Sequence, residues 1–238
     1  MDRSRLEISP GIWLDARRAV WLAEYRTLAV ADLHLGYVWA HRAAGQMLPL
    51  SARDDTLDRL DALLADYAPN RVALLGDIVH RVVPVAPLEA ELTRLRDELG
   101  RTTQLHWLAG NHDRHLTKLL GPSAAVEREL ALGPHRLAHG DACPESEAAT
   151  CLAAVRAAGG RWFIGHEHPA ITLGDGMGTH ARCPCFLVAP ELIVLPAFSS
   201  YATGGTQRPG EGLSAFTRAA RFTHRVAIVA GKLLPLPT

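Results

Sequence analysis

Apolar residues in this chain fall in short blocks, with amphipathic stretches of helical period between several of them. "GIWLD" and "AVWLAE", separated by "ARR", predict a hairpin within residues 1–26. "TLAVAD" (27–32), "RVALLGD" (71–77), "TTQLHWLAG" (102–110) and "HRLAHG" (135–140) have the unbroken apolar character of buried strands, and "RWFIGHEHP" (161–169) runs from a strand into a loop. Between them lie helical patterns. In "SARDDTLDRLDALLADY" (51–67), Leu57, Leu60, Leu63, Leu64 and Tyr67 form one stripe and Ser51 is the predicted N-cap. "PLEAELTRLRDEL" (87–99) opens on Pro and is stopped by Gly100, a short helix is expected over 112–120, and "ESEAATCLAAVRAAGG" (145–160) is Ala-rich with a glycine stop. The stripe "VERELAL" (126–132) predicts a packed edge. From residue 170 onward the pattern is all strand, in "AITL", "CFLVAP", "LIVLPAF" and "RVAIVAGKLLPL", interrupted by the Gly-rich loop "SSYATGGTQRPGEGLSA" (199–215). No internal repeat or linker composition divides the chain. The expectation is one α/β domain over residues 1–238, alternating strand and helix first and β-rich afterwards.

Composition narrows the partners. With 238 residues and 48% hydrophobic content, the chain can bury a full core. No run of about 18 apolar residues predicts a membrane span. The segment "MDRSRLEISPGIW" has no apolar core of a secretory signal, so a cytoplasmic protein is expected. Formal net charge is zero, which removes a global field for nucleic acid but leaves room for a local basic groove. Basic residues are almost all arginine, with only Lys118 and Lys232 as lysines. Cys143, Cys151, Cys183 and Cys185 match neither zinc nor disulfide spacing, and free thiols are expected.

The candidate chemistry sits where the strands end. "AVADLHLG" closes on Asp32 and His34, "LLGDIVH" on Asp77, "LHWLAGNHD" on Asn111, His112 and Asp113, "LAHGD" on His139, and "FIGHEHP" on His166 and His168. Ligands of α/β sheets bind beyond the carboxyl ends of strands, so these tips can converge at one edge. Carboxylate, imidazole and amide oxygen form a hard-to-borderline ligand set without thiolate. They are too many for one ion with an open position. A central carboxylate such as Asp77 can bridge two, and two ions can clamp an in-line displacement while a bridging hydroxide attacks.

Asp32-Leu33-His34, Gly76-Asp77, Gly110-Asn111-His112-Asp113, His139-Gly140 and Gly165-His166-Glu167-His168, in that order, resemble the calcineurin-like metallophosphoesterases. The resemblance implies two packed mixed β-sheets flanked by helices, a four-layer αββα sandwich. It implies one ion on Asp32, His34, Asp77 and His168 and a second on Asp77, Asn111, His139 and His166. His112 would stabilise the transition state or protonate the leaving oxygen, and Asp113 would orient His112 from behind. Mn²⁺ suits the ligands best, with Fe, Zn or Mg as alternatives.

"ADLHLG", "AAGQMLPL", "GDIVH" and "LPAFSSYATGG" are further similar to the bacterial phosphoesterases encoded beside DNA ligase and helicase genes, a group of DNA-repair nucleases or phosphodiesterases. That implies a phosphodiester substrate and an association with ligase or helicase. Tyr37 stands where that group would carry lysine.

His80, Arg42 and Arg81 are further candidates for substrate phosphate or for support of the ligands. Tyr201 and Phe198 can stack on a base or pack under the Gly-rich loop, and packing is the expectation. Asp141 is expected to bond a loop and His106 to be structural. The leading function is a dimetal phosphodiesterase. The alternative is a small-metabolite phosphomonoesterase or pyrophosphohydrolase. A sugar-lipid pyrophosphatase would carry arginine in the third motif, and a protein phosphatase would continue the second differently from Ile78-Val79-His80. A non-catalytic scaffold should have lost ligands, and none is missing.

Overall fold

In the computed structural model, described for residues 3–48, 55–83, 85–101, 103–121, 124–174, 178, 180–202, 204 and 211–237, two sheets are built in chain order. An antiparallel meander comes first: β1 (Arg5–Ser9), β2 (Ile12–Asp15), β3 (Ala19–Leu22) and β4 (Thr27–Val30). Helices α1 (Tyr37–Ala43) and α2 (Thr56–Tyr67) lead to β5 (Arg71–Leu75). Helix α3 (Ala86–Thr93) continues through a π-turn at Arg94–Glu98 and a 3₁₀ turn at Leu99–Arg101 into β6 (Gln104–Leu108). Helix α4 (Leu116–Leu120) and β7 (Val126–Glu127) finish this half. The sheet runs β1-β2-β3-β4-β5-β6-β7, and its last four strands are parallel.

The second sheet takes β8 (Glu129–Leu132), β9 (His135–Ala138), β10 (Trp162–Ile164), β12 (His180–Val188), β13 (Leu192–Val194), β14 (His224–Val229) and β15 (Lys232–Pro237). Its order is β15-β14-β12-β13-β10-β9-β8, with β11 (Ala170–Gly174) added on β12. Helices α5 (Glu145–Ala157) and α6 (Ala215–Ala219) lie against it. β9, β10 and β13 are parallel, so this sheet also has carboxyl ends pointing one way.

Two-residue alternation explains the layers. Ala29, Ala73, Leu75 and Leu108 face Leu137, Phe163, Phe186 and Ile193 across the space between the sheets. The intervening Leu28, Val30, Val72, Leu74 and Trp107 face the other way, onto Leu57, Leu60 and Leu63 of α2 and Leu88 and Leu92 of α3. In the second sheet Trp162, Ile164, Leu187, Leu192 and Val194 turn outward onto Leu152 and Val155 of α5 and Phe216 of α6. This is the expected α/β sandwich in αββα order. All four cysteines are free, as expected.

Several boundaries differ from expectation. The predicted cap Ser51 lies outside the described residues, and α2 as described begins at Thr56 with Asp55 before it. The third helix is not stopped by Gly100. It loosens into the π and 3₁₀ turns because Leu95 stays buried and keeps the chain coiled. The hairpin at the start is a three-stranded piece of sheet, since "RLEIS" pairs on β2 as β1. Helices α1 and α6 were not expected. Most of the Gly-rich stretch 203–212 lies outside the described residues. Among the described residues no helix is long and apolar enough to cross a membrane.

Candidate metal centre

The motif residues meet in the cleft where both sheets present parallel carboxyl ends. β4, β5 and β6 deliver Asp32, His34, Asp77, Asn111 and His112, and β9 and β10 deliver His139, His166 and His168. The expectation of a single sheet edge is therefore corrected: the site is shared between two sheets.

The tips are tied into one frame by main-chain bonds. Asp32 and His34 donate their amides to the Gly76 and Asp77 carbonyls at 3.1 and 2.9 Å, and Gly165 donates to the His139 carbonyl at 3.0 Å. Asp32 accepts the His166 amide at 3.0 Å through Oδ2, and Asp77 accepts the His112 amide at 2.9 Å through Oδ1. The glycines of the motifs are explained by this closeness. A Cβ on Gly165 would lie 2.6 Å from Asp32 Oδ2, and one on Gly76, at φ 74°, 2.5 Å from the His139 ring.

The backbone is strained at the same places. Of the nine described non-glycine residues with positive φ, five are candidate ligands: Asp32 (57°), His34 (48°), Asp77 (47°), His166 (69°) and His168 (44°). Each such residue costs about 1–3 kcal/mol, and such strain concentrates at functional sites. The left-handed turn lets alternate residues of a motif aim into one cleft.

Two clusters overlap on Asp77. Asp32, His34, Asp77 and His168 can each offer one ligand atom, all within 4.8 Å of one another. His34 Nε2 lies 3.3 Å from His168 Nε2, which is 3.3 Å from Asp32 Oδ1. On the other side, His139 Nε2 is 3.1 Å from Asn111 Oδ1, 3.1 Å from His166 Nδ1 and 3.5 Å from Asp77 Oδ1.

The donor set fits metal ions. His139 Nδ1 sits 3.0 Å from the Leu75 carbonyl, so the ring proton belongs on Nδ1 and the Nε2 lone pair points at carboxylate and amide oxygens. Lone pairs gathered on one point need a cation. Burial pushes His34 down to about 3, and burial with His139 nearby lowers His166, keeping both neutral and able to ligate. Burial also opposes charge on His139 and His168, but Asp32 and Asp77 outweigh it and raise both.

His112 is largely exposed, with Nε2 3.9 Å from Asp77 Oδ2 and Nδ1 3.0 Å from the His80 carbonyl. The carbonyl fixes the ring with its proton on Nδ1 and leaves Nε2 facing the cleft. This corrects the role expected of Asp113. Its buried carboxylate accepts the amides of Gly110 (2.9 Å), Ile78 (3.0 Å) and Val79 (3.2 Å), so it ties the second motif to the third instead of backing His112. Burial raises its pKa to about 6, with the amide bonds pulling the other way.

Glu167, between two ligands, is buried and accepts Leu213 N, Ser214 N and Thr217 Oγ1, fastening the fifth motif to α6. Arg42 does not face the cleft: it donates to the Leu48 carbonyl at 2.9 Å. Arg81 does line a cavity at the cleft, together with His80, Arg114, His115 and Lys118, the last three unmarked by any motif. His80 stacks its ring on His112 (centroids 5.5 Å) and sets it at 47° against Tyr37 (4.5 Å). Tyr37 in turn stacks on Tyr201 at 5.4 Å and 5°, and Phe198 is fully buried, while most of the loop they were expected to pack under lies outside the described residues. His106 is structural as expected, 3.4 Å from Glu127.

The family model for calcineurin-like phosphoesterases matches residues 25–169. Among solved structures, the Pseudomonas putida nuclease MPE is similar with a TM-score of 0.65 at 24% identity, covering 98% of this chain and 98% of that one. The E. coli phosphoesterase Yfce reaches 0.42 at 15% identity, covering 89% of this chain and 98% of its own. A comparison with curated proteins gives no match.

Proposed function

The chain belongs to the calcineurin-like phosphoesterases, hydrolases of phosphoester bonds, and from that premise we propose that it is a two-ion phosphodiesterase acting on nucleic acid or a nucleotide-like diester. The observation that carries this is the pair of ligand clusters sharing Asp77, with His112 exposed at their mouth beside an open cavity. A diester needs room for two ester arms, and the cavity beyond Asn111 and His112 offers it. Asp32, His34, Asp77 and His168 would hold one ion, and Asp77, Asn111, His139 and His166 the other; Mn²⁺ suits this set. Ions bound there supply Lewis acidity for the attacking water and for the phosphoryl oxygens.

The chain's own residues do the rest. The buried carboxylates and imidazoles would hold the ions on either side of Asp77, and so fix where the reacting phosphorus sits. As water adds, losing one proton to the medium, and the P–O bond to the leaving group breaks, the departing oxygen takes a proton from Nε2 of the His112 ring in its doubly protonated form, which keeps the proton on Nδ1. The His80 carbonyl holds the ring in the orientation this requires. A nucleic-acid substrate, and a place in DNA repair alongside ligase or helicase, are supported by the finer motif resemblance; the similar Pseudomonas putida protein is itself a nuclease.

The test is hydrolysis of bis-p-nitrophenyl phosphate against p-nitrophenyl phosphate with Mn²⁺, for the wild type and Asp77→Ala. Diester turnover at least about 10³-fold weaker in the variant is expected, several kcal/mol of barrier. A preference for the monoester would select the small-metabolite phosphatase instead. Turnover of neither ester by a metal-loaded wild type would sink both.

A further inference from the structure

The cleft continues into a cavity of about 1080 Å³ whose wall is positively charged. Asn111 and His112 line it on the side of the candidate centre with Arg81, Arg114, His115 and Lys118, and among the described residues no carboxylate lines it. Leu116 and Leu120 of α4 are buried, so Lys118 between them turns outward, and Arg114 and His115 sit in the turn that leads into this helix. Several arginines elsewhere, Arg5, Arg17, Arg94, Arg96, Arg136 and Arg218, pair with carboxylates. Among the described residues, Arg81, Arg114 and Lys118 make no ion pair or hydrogen bond. Three uncompensated cations around one cavity, in a chain of zero net charge, are a local anion site.

We propose that Arg81, Arg114 and Lys118, with His115 beside them, form a subsite for the phosphate next to the scissile one in a single-stranded polynucleotide. The proposal rests on the phosphodiesterase reading and extends it from the reacting phosphorus to its neighbour. Two observations favour a strand over a lone phosphate. The cavity is several times larger than one phosphate needs. A row of ring contacts from His112 and His80 through Tyr37 to Tyr201 starts in the same wall, and aromatic rings beside cations are the combination that holds single strands. Arginine's planar fork suits the phosphate, and Lys118 adds a point charge.

The experiment compares the wild type, Arg114→Ala/Lys118→Ala and the charge-keeping Arg114→Lys/Lys118→Arg. Binding of a fluorescent single-stranded oligonucleotide is read by anisotropy in EDTA at several salt concentrations, which separates binding from turnover. The alanine pair should bind about tenfold or more weakly and lose about one to two contacts from the salt slope, near 0.7 per contact for single strands. The charge-keeping pair should recover most of the affinity. With Mn²⁺, the alanine pair should lower kcat/KM for the oligonucleotide, mainly through KM, at least about tenfold more than for bis-p-nitrophenyl phosphate, which has no neighbouring phosphate. Equal binding by all three proteins, or by none, overturns the subsite. So does an equal fall on both substrates, or an acidic polypeptide competing as well as the oligonucleotide. Failure of the wild type on the small diester, with charge-dependent binding intact, would instead overturn the phosphodiesterase reading.

Discussion

At the scale of single residues, the candidate centre is held by groups that never reach the substrate, and Asp113 shows it most clearly. Three amide donors from two motifs converge on its buried carboxylate. Asp113→Asn keeps the shape but turns an NH₂ toward a donor. It should destabilise the fold by about 1–3 kcal/mol, the cost of a buried unsatisfied group. Urea unfolding in EDTA reads this free of bound metal. If Asp113 instead backed His112, the variant would keep its stability and lose kcat alone. The motif letters announced Asp113 but not its role, because the role depends on which loops meet, and loops from separate strands meet only in the folded chain. The candidate ligands themselves were legible because they cluster at the ends of apolar strands, with a glycine directly before Asp77, Asn111 and His166. Arg114, His115 and Lys118 were not, since a basic residue in a turn or on a short helix is identical in sequence whether it faces a cavity or water.

At the scale of elements, long and periodic segments were readable and short ones were not. Helix α2 shows its stripe over three turns. Helix α1 has seven residues, begins at Gly36 without a side-chain cap, and is held by contacts from the site it flanks. The attachment of α2 to the meander was equally hidden, and it yields a test. Asp15, buried at the end of β2, accepts Arg17 Nη2 at 2.8 Å and the hydroxyl of Tyr67, the last residue of α2, at 2.9 Å. Burial pushes the Asp15 carboxyl up, but the bonds from Arg17 and Tyr67 outweigh it and hold the pKa below the usual carboxylate range. The unfolded chain therefore takes up this proton first as pH falls. The stabilisation is complete above about pH 4 and is lost as the pH falls from there toward the folded-state value. Asp15→Asn should cost about 1–3 kcal/mol at pH 7 and flatten the stability profile between about pH 5 and 3. Denaturant midpoints across that range measure it, and parallel profiles for variant and wild type would refute the linkage.

At the scale of the whole molecule, the two sheets meet through an apolar layer that sequence alternation foretold, and through a polar edge where carboxylate and imidazole lone pairs from both sheets are crowded together. Each expected ion would take ligands from both sheets: Asp32, His34 and Asp77 with His168, and Asp77 and Asn111 with His139 and His166. Metal binding is then a clamp across the sandwich, and its free energy adds to that of folding. At a metal concentration one hundred times Kd, one site contributes about 2.7 kcal/mol. For a chain of this size that raises Tm by about 5–10 °C. Melting curves in EDTA and with increasing Mn²⁺ should show the rise in the wild type. His168→Ala, which removes a second-sheet ligand of one cluster, should keep part of it, and Asp77→Ala, which touches both clusters, should lose nearly all. A rise of the same size in Asp77→Ala would place the ions away from the cleft and separate the strained loops from metal binding altogether.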